Sequence, residues 1–347
     1  MTGQRKAVAL LSGGLDSMLA ARVIKDQGVH VEGINFFTGF CVEGHTQAIR
    51  RKSSAKPKRN NALWSAEQVG IALHFIDVVE AYKEVVLNPK HGYGRNLNPC
   101  LDCKGFMVGK AHEWMLEHDF DFIITGEVVG QRPKSQRRET MSIIVAESGA
   151  GDRLLRPLSA KLLAPTLPEQ AGWVQRDALF DWHGRSRRLQ MELAAQFGFE
   201  DYAQPAGGCC FLTDKQYTVK LRDLWRSRNN RRYELDDIIL LKVGRHLRPA
   251  PGYKLIIARE DGENRFLRGY RKDYVHLRTT SHPGPLALID GDCAQADLSL
   301  SARLVARYSQ GRDAPAVEVE VVPVGAPPWH LTVSPMPPHE IPKEWVL

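Results

Sequence analysis

The chain has 347 residues, 43% hydrophobic and 25% charged, so it can bury more than one hydrophobic core. Its 47 Lys and Arg residues exceed 40 Asp and Glu residues, and the net charge of +7 favours a polyanionic partner over an acidic small molecule alone. No apolar run reaches the roughly 20 residues that a membrane-spanning helix needs, and the polar N-terminus is unlike a signal peptide. We therefore expect a cytoplasmic protein with no membrane partner.

The first half of the sequence alternates strand and helix signals. Residues 7–11 (AVALL) form a short apolar run typical of a buried parallel strand, and glycines and a helical pattern follow at once. Further strand signals lie at residues 29–36, 71–78 and 122–125, with helical stretches at 62–69 and 106–117. The pattern predicts an α/β fold with a doubly wound parallel sheet. Residues 39–61 are too basic and too long for an ordinary connection, and we expect a mobile loop there.

The second half of the sequence has a different pattern. Pro165 and Pro168 interrupt the alternation, and residues 171–197 are predicted to be helical, with arginines at 185, 187 and 188. Short β-rich segments follow at residues 238–243, 254–259, 274–277, 286–289 and 316–322. We expect three parts: a nucleotide-binding α/β domain over residues 1–165, a helical connector over 166–235, and a small β-rich domain over 236–347.

A glycine-rich loop joins the first predicted strand to the first predicted helix. Its sequence, SGGLDS at residues 12–17, lets the backbone turn sharply and present N–H groups to an anion at the helix N-terminus. It is neither a Walker A loop nor a GxGxxG fingerprint, and a plain helix cap without a ligand is the alternative. Asp16 could bind Mg²⁺ or order the loop, although an ordinary first-turn acid would have the same sequence. The candidate phosphate-binding residues are Ser12, Gly13, Gly14, Asp16 and Ser17.

The six cysteines are unevenly spaced, unlike those of a secreted disulfide-stabilised domain, and indicate metal or thiol chemistry. Cys100 and Cys103 open a helical stretch next to Lys104, a setting that favours thiolates. Cys209 and Cys210 lie in a glycine turn far along the chain. A lone CxxC is often only buried packing, but a second cysteine pair beside glycines favours function.

The motifs also resemble a known family. SGGLDS resembles the pyrophosphate loop of the ATP pyrophosphatase superfamily. The motifs follow each other in the order SGGxDS, NPxxxC before a helix, TG after a strand, and GxCF. This order resembles that of the bacterial tRNA 2-thiouridylases and covers about residues 7–220. This resemblance implies an adenine nucleotide α hydrolase-like fold, with Thr125 and Gly126 as a second nucleotide loop and Cys103 and Cys210 at the sulfur site. Glu127 replaces the family's usual histidine, and Cys100 replaces its usual aspartate, which suggests a sister family.

The resemblance implies that ATP and Mg²⁺ are used to adenylate a uridine carbonyl oxygen in tRNA, which sulfur then replaces. Asp16, Cys103 and Cys210 would be the catalytic residues, and the donor would be sulfide or a persulfide-carrying protein. Because of Cys100, the site also resembles that of iron–sulfur-dependent tRNA thiolation enzymes, which implies a [4Fe-4S] cluster on Cys100, Cys103 and Cys210. Alternatively, Cys103 carries a persulfide and Cys210 resolves it, and zinc is a weaker option. We expect Cys41 and Cys293 to be dispensable, and loss of Cys209 to be mild.

Basic residues supply candidate RNA contacts. Arg132 and Lys134 could hold phosphates or the tRNA backbone, and Arg228, Arg231 and Arg232 follow an aromatic and basic segment. A solvated amphipathic helix is an equal alternative for that segment. Residues 241–246 and 256–264 resemble the RNA-binding domain of NFACT proteins. Two other functions stay open: an adenylating ligase that acts on a small carboxylate, and a non-catalytic RNA-binding protein.

Overall fold

The computed structural model describes residues 3–42, 59–202 and 210–347 and divides into two compact units. The N-terminal unit contains the described residues of Met1–Cys41 and Arg59–Thr213, and the C-terminal unit is built on Asp214–Leu347. Most of the predicted basic loop and Cys209 lie outside the described residues. No helix within the described ranges is long and apolar enough to cross a membrane. The finer division at residues 166 and 236 stays a prediction.

The N-terminal unit contains a five-stranded sheet in which all paired strands are parallel, as the sequence predicts. Its strands are β1 (Lys6–Leu10), β2 (His30–Phe37), β3 (Leu73–Asp77), β4 (Phe122–Ile124) and β5 (Leu154–Leu155), in the order β3-β2-β1-β4-β5. The chain passes to opposite sides of β1 to form β2 and β4. Such a reversal leaves a crevice beyond the carboxyl ends of the two central strands, where α/β proteins bind ligands.

Helices cover both faces of this sheet. They are α1 (Leu15–Lys25), α2 (Asn61–Val69), α3 (Val79–Leu87), α4 (Cys100–Glu117), α5 (Arg138–Ser148), α6 (Leu167–Gln170) and α7 (Arg188–Gln196). Side chains alternate along β1, so Ala7 and Ala9 join the core that includes α1, whereas Val8 joins the core that includes α4. Because both faces of the sheet are buried, a central strand such as β1 has a continuous apolar run and no alternation of polar and apolar residues.

The helical stretch predicted over residues 171–197 is wrong for most of its length. Only a 3₁₀ turn at Arg176–Ala178 and α7 are helical there. Gly172 and Gly184 have φ angles of 66° and 83°, in the left-handed region that ends or interrupts a right-handed helix. The apolar residues of this stretch, such as Val174 and Leu179, are nevertheless buried against the sheet.

The C-terminal unit contains a separate six-stranded antiparallel sheet, as expected for a small, mostly β domain. Its strands are β6 (Arg245–Ala250), β7 (Tyr253–Ile257), β8 (His276–Thr279), β9 (Leu286–Gly291), β10 (Val317–Val322) and β11 (Trp329–Val333). Its helices are α8 (Lys215–Ser227), α9 (Leu235–Leu240), α10 (Asp261–Leu267) and α11 (Gln295–Arg307). α11 contributes to the core on one face of the sheet, and α9 and α10 contribute to the other.

The strand predicted over residues 238–243 is wrong, because α9 occupies residues 238–240 and the next strand begins only at Arg245. Its apolar run is short, and a run of that length is compatible with a strand or with a buried helical turn. The residues before it decide the structure: Asp237 accepts a hydrogen bond from the backbone N–H of Glu234 at 2.8 Å, in a capping box. The buried side chains of Ile238, Ile239 and Leu240 then fill the core.

Candidate nucleotide and thiol site

The SGGLDS loop lies between β1 and α1, at the crevice of the parallel sheet. Gly13 has a φ of +77°, and a Cβ there would lie 2.8 Å from the backbone nitrogen of Ala62, so only glycine fits. Gly14 is the N-cap of α1. Ser17 Oγ donates to the Gly14 carbonyl at 2.8 Å and lies 3.4 Å from the Ser12 nitrogen. No side-chain hydrogen bond caps α1 among the described residues, and an uncapped helix N-terminus suits an anion.

Thr125 and Gly126 follow β4, which pairs with β1, and they contact the SGGLDS loop directly. A Cβ on Gly126 would lie 2.4 Å from the carbonyl carbon of Asp16 and 2.4 Å from the nitrogen of Ser17. Any side chain at this position would therefore push the two loops apart. Thr125 is buried, and its N–H donates to the Leu155 carbonyl at 3.0 Å, which fixes the start of this second loop.

Asp16 lies among polar side chains from two other segments. Gln131 Nε2 donates to Asp16 Oδ2 at 2.8 Å, and Arg187 Nη2 lies 3.8 Å from Asp16 Oδ1. Burial raises the pKa of Asp16, while Arg187, Gln131 and Arg132 act in the opposite direction. Asp16 Oδ1 and Arg187 Nε are buried without a hydrogen-bond partner among the described residues. An unused carboxylate oxygen beside an unused guanidinium N–H fits a Mg²⁺–phosphate group, so the residues present suit ATP and Mg²⁺.

Glu127 links the second nucleotide loop to the cysteine-bearing helix. Its carboxylate lies 3.0 Å from Arg156 Nε and 3.9 Å from Lys104 Nζ, next to Cys103 in α4. Burial alone would raise the pKa of Glu127, but Arg156 and Lys104 hold it below its ordinary value. The glutamate that stands at residue 127 in place of the family's usual histidine thus puts a buried, ionised carboxylate between the second nucleotide loop and α4.

The second cysteine segment lies next to the loop that precedes α4. The N–H of Leu97 donates to the Leu212 carbonyl at 3.2 Å, and Asn96 Nδ2 donates to the Thr213 carbonyl at 2.7 Å. On its other side, Cys210 forms an isolated antiparallel bridge with Cys41, which follows the carboxyl end of β2. The fold therefore brings cysteines that are distant in sequence to the same edge of the sheet.

Three of these cysteines lie around the hydroxyl of Tyr82 in α3. Burial raises the pKa of Tyr82 well above its ordinary value, and Cys103, Cys210 and Cys41 next to the hydroxyl raise it further. Cys103 also shares a hydrogen bond with this hydroxyl. Tyr82 therefore stays neutral, and a hydroxyl that donates to a sulfur stabilises the thiolate form. Cys103, Cys210 and Cys41 thus surround one hydroxyl, and the role of Cys103 and Cys210 as a sulfur site stays a prediction.

The arrangement does not support the predicted [4Fe-4S] cluster. Across residues 3–42, 59–202 and 210–347, no three His, Cys, Asp or Glu side chains form a group that could hold a metal ion. Cys100 begins α4, one helical turn before Cys103, and the predicted set of Cys100, Cys103 and Cys210 is not such a group. A cluster with one open iron needs three converging thiolates, and the described residues do not supply them.

The predicted RNA-binding residues fall into two groups. Arg132 contributes to the electrostatic environment of Asp16, and Lys134 lies over the loop before α4, where a Cβ on Gly94 would be 3.1 Å from its Nζ. In the C-terminal unit, Arg228 donates to both carboxylate oxygens of Asp237 at 2.6 Å. Arg231 lies over Trp225, 4.8 Å from the ring centroid, and Arg232 is exposed. Their contacts with RNA stay predictions.

Sequence reasoning missed the roles of Arg187, Gln131 and Cys41. The sequence predicts only a connector around the arginine cluster near residue 187, because nothing in it shows that this segment returns to the phosphate loop. Gln131 belongs to the motif GQRPKSQ, in which the charged residues are the more obvious candidates for phosphate contacts. Cys41 has no cysteine partner nearby in the sequence.

Comparison with protein families agrees with this description. Residues 5–152 match the family model described as the tRNA methyl transferase HUP domain, and residues 244–346 match that of the NFACT protein RNA binding domain. These matches confirm the resemblance inferred from the motifs. The phosphate loop, Gly126 and Cys103 all lie within the matched residues 5–152.

The curated relatives match different shares of the chain. A tRNA-specific 2-thiouridylase of Petrotoga mobilis is 29% identical over 128 residues, which are 35% of this chain and 35% of the relative. One from Geotalea uraniireducens is 24% identical over 326 residues, 90% of this chain and 77% of the relative. The match thus spans about a third of the first relative's length. A solved 4-thiouridine synthetase–RNA complex with bound ATP is 20% identical, with a TM-score of 0.41 over 69% of this chain and 52% of that one.

Proposed function

We propose that the protein is an ATP-dependent tRNA sulfurtransferase that adenylates a uridine carbonyl oxygen and replaces it with sulfur. The observation that carries the proposal is the contact of Gly126 with the backbone of Asp16 and Ser17, at the same sheet edge as Cys103 and Cys210. This arrangement supplies an anion site for a nucleotide and thiols for sulfur transfer in one region of the N-terminal unit.

The relatives support tRNA as the substrate. Curated proteins similar to this chain are named tRNA-specific 2-thiouridylases, and residues 244–346 match an RNA-binding domain. The positive net charge of +7 agrees with binding to a polyanion. An adenylating ligase acting on a small carboxylate would need neither the paired thiols nor an RNA-binding domain.

Adenylation is required because a uracil carbonyl oxygen is a poor leaving group. In the proposed reaction, this oxygen attacks the α-phosphorus of ATP and pyrophosphate leaves. The N-terminus of α1 and the Arg187 guanidinium stabilise the negative charge on the phosphates. Mg²⁺ held by Asp16 would neutralise part of that charge. AMP is then the leaving group that sulfur displaces.

We propose a thiol route for the sulfur. Cys103 carries a persulfide received from a protein persulfide, and its terminal sulfur attacks the adenylated carbon as AMP leaves. The Cys210 thiolate then attacks Cys103 Sγ, and the Cys103–sulfur bond breaks. Its electron pair stays on the sulfur bound to the base, which becomes the thiocarbonyl, and a Cys103–Cys210 disulfide forms. A dithiol reductant restores the two thiols.

Two measurements test this function. The purified protein should exchange pyrophosphate into ATP in the presence of tRNA, and nucleosides from the treated tRNA should contain thiouridine by mass spectrometry. Cys103→Ser and Cys210→Ser should retain ATP binding and form no thiouridine, because a hydroxyl of high pKa cannot replace the thiolate. Exchange supported by a small carboxylate without tRNA would instead identify the ligase. Stoichiometric iron in active anaerobic protein would restore the cluster mechanism.

A further inference from the structure

The position of Cys41 relative to Cys210 bears on how the proposed thiol route is completed. The two residues are directly opposite each other in an antiparallel bridge. Phe211 N–H donates to the Phe40 carbonyl at 2.9 Å, so the hydrogen bond flanks the pair and Cys41 and Cys210 occupy the non-hydrogen-bonded position. In that position the Cα atoms are about 4.5 Å apart and both side chains point to the same face. A disulfide needs a Cα separation of about 4.4–6.8 Å.

The surroundings of the pair keep Cys41 beside the sulfur site. Phe40 packs against Tyr82 with ring centroids 6.3 Å apart, and the Cys41 sulfur lies 3.5 Å from Thr38 Oγ1. The Cys210 sulfur is 3.4 Å from the N–H of Leu212. Tyr82 is in contact with Cys103 and lies close to both other sulfurs. A third thiol is thus available to a disulfide between Cys103 and Cys210.

We propose that Cys41 is a third thiol of the sulfur relay, which takes the disulfide from Cys103 by exchange at Cys210. The inference rests on the proposed function. In this step the Cys41 thiolate attacks Cys210 Sγ, and a Cys41–Cys210 bond forms. The Cys103–Cys210 bond breaks, and its electron pair leaves with Cys103 as a thiolate. The proton released by Cys41 passes to solvent, and the number of disulfides is unchanged.

The exchange separates two tasks that a two-cysteine site would combine. Cys103 becomes available for a new persulfide while the disulfide waits at the bridge for a dithiol reductant. Under this proposal, and in contrast to the expectation from the sequence that Cys41 is dispensable, repeated turnover needs Cys41, although a single turnover needs only Cys103 and Cys210. Cys293, in the C-terminal unit, has no such partner among the described cysteines and is the matched control.

The test uses the full-length protein loaded with a protein persulfide, with ATP and tRNA. After one turnover without reductant, peptide mapping of the wild type should show a Cys41–Cys210 disulfide, and Cys41→Ser should show Cys103–Cys210 instead. Thiouridine yield in that single turnover should be equal in both. With a dithiol reductant, Cys41→Ser should slow repeated turnover about ten-fold, because its disulfide stays in the site, whereas Cys293→Ser should behave like wild type.

A second measurement does not depend on a variant. Equilibration of the wild type in a glutathione redox buffer, followed by peptide mapping, should give Cys41–Cys210 as the first disulfide formed. Two results would overturn the role of Cys41 and leave the proposed function intact. One is wild-type protein that makes thiouridine and forms only the Cys103–Cys210 disulfide, and the other is normal repeated turnover by Cys41→Ser. No thiouridine from the wild type overturns the proposed function itself.

Discussion

At the scale of single residues, the site depends on two close approaches that leave no room for a side-chain atom. Gly126 lies against the backbone of Asp16 and Ser17, and Gly13 lies against the backbone of α2. In each case the neighbouring atoms belong to the main chain, which cannot move aside as a flexible side chain can. Gly126 therefore fixes the phosphate loop relative to the loop that follows β4, and Gly13 fixes it relative to the start of α2.

Gly126→Ala should weaken ATP binding by at least about ten-fold, because its Cβ would displace the phosphate loop from a position set to about half an ångström. Isothermal titration calorimetry with ATP measures this. The matched control is Gly105→Ala in α4, where a Cβ would meet nothing within 4 Å. That variant should bind ATP normally and gain roughly 0.5–1 kcal/mol of stability from helix propensity. Equal affinities of Gly126→Ala and wild type would contradict a shared loop contact.

Tyr82→Phe should slow thiouridine formation about ten-fold while pyrophosphate exchange stays unchanged, because the lost hydroxyl stabilises the Cys103 thiolate that takes up the persulfide and plays no part in adenylation. The rate of persulfide loading on Cys103 at several pH values checks this, and the deficit should shrink as pH rises. Tyr217→Phe is the control, since that buried hydroxyl donates to the Ile238 carbonyl at 3.0 Å in the C-terminal unit. An equal loss of pyrophosphate exchange in Tyr82→Phe would point to a packing role.

At the scale of elements, the strands were easier to predict than the segments between them. A buried parallel strand such as β1 has an apolar run and a glycine turn as its signal. The return of residues 183–190 to the phosphate loop has no such signal, because the contact of Arg187 with Asp16 depends on tertiary folding. The pairing of Cys41 with Cys210 in an antiparallel bridge also depends on tertiary folding, because the two residues are far apart in the sequence.

β6 contains a buried histidine that should make the C-terminal unit sensitive to acid. Burial first, and then Lys220 and Lys254, hold the pKa of His246 well below its ordinary value of 6.5. The unfolded chain therefore binds a proton that the folded chain rejects. Stability should be constant above about pH 6.5 and fall by about 1.4 kcal/mol per pH unit below it, until the folded pKa is reached.

Hydrogen exchange of β7, which pairs with β6, measures this effect as a free energy of opening at pH 7.5 and 5.0. His246→Gln should lose less stability than wild type between these values, because the amide cannot be protonated and its N–H₂ can still reach the Val243 carbonyl. The same acid loss in both proteins would show that another group titrates there.

At the scale of the whole molecule, the sequence predicted both sheets, whereas the site residues stay predictions. The strand signals and the SGGLDS motif are local, so they can be recognised without a structure. The functional difference among the arginines at and after the end of α8 is not local. Arg228 forms a two-fold ion pair with Asp237, which is a structural use, whereas the exposed Arg226 and Arg232 have no side-chain ion pair among the described residues. Identical residue types therefore serve stability and surface charge side by side.

Exposed arginines should contribute to tRNA binding mainly through counterion release. The Arg226→Gln/Arg232→Gln double variant should lower tRNA affinity and reduce the slope of log affinity against log salt by roughly 1.4–1.8, the value for two lost phosphate contacts. Filter binding between 50 and 200 mM salt, about the range in which such contacts weaken strongly, measures the slope. ATP affinity should be unchanged, and Arg312→Gln, which removes one positive charge in the same unit, should leave the slope unchanged. If the double variant keeps the wild-type salt dependence of tRNA affinity, the RNA contacts lie elsewhere. In a separate measurement, a loss of stability in Arg228→Gln but not in the double variant would confirm the structural use of Arg228.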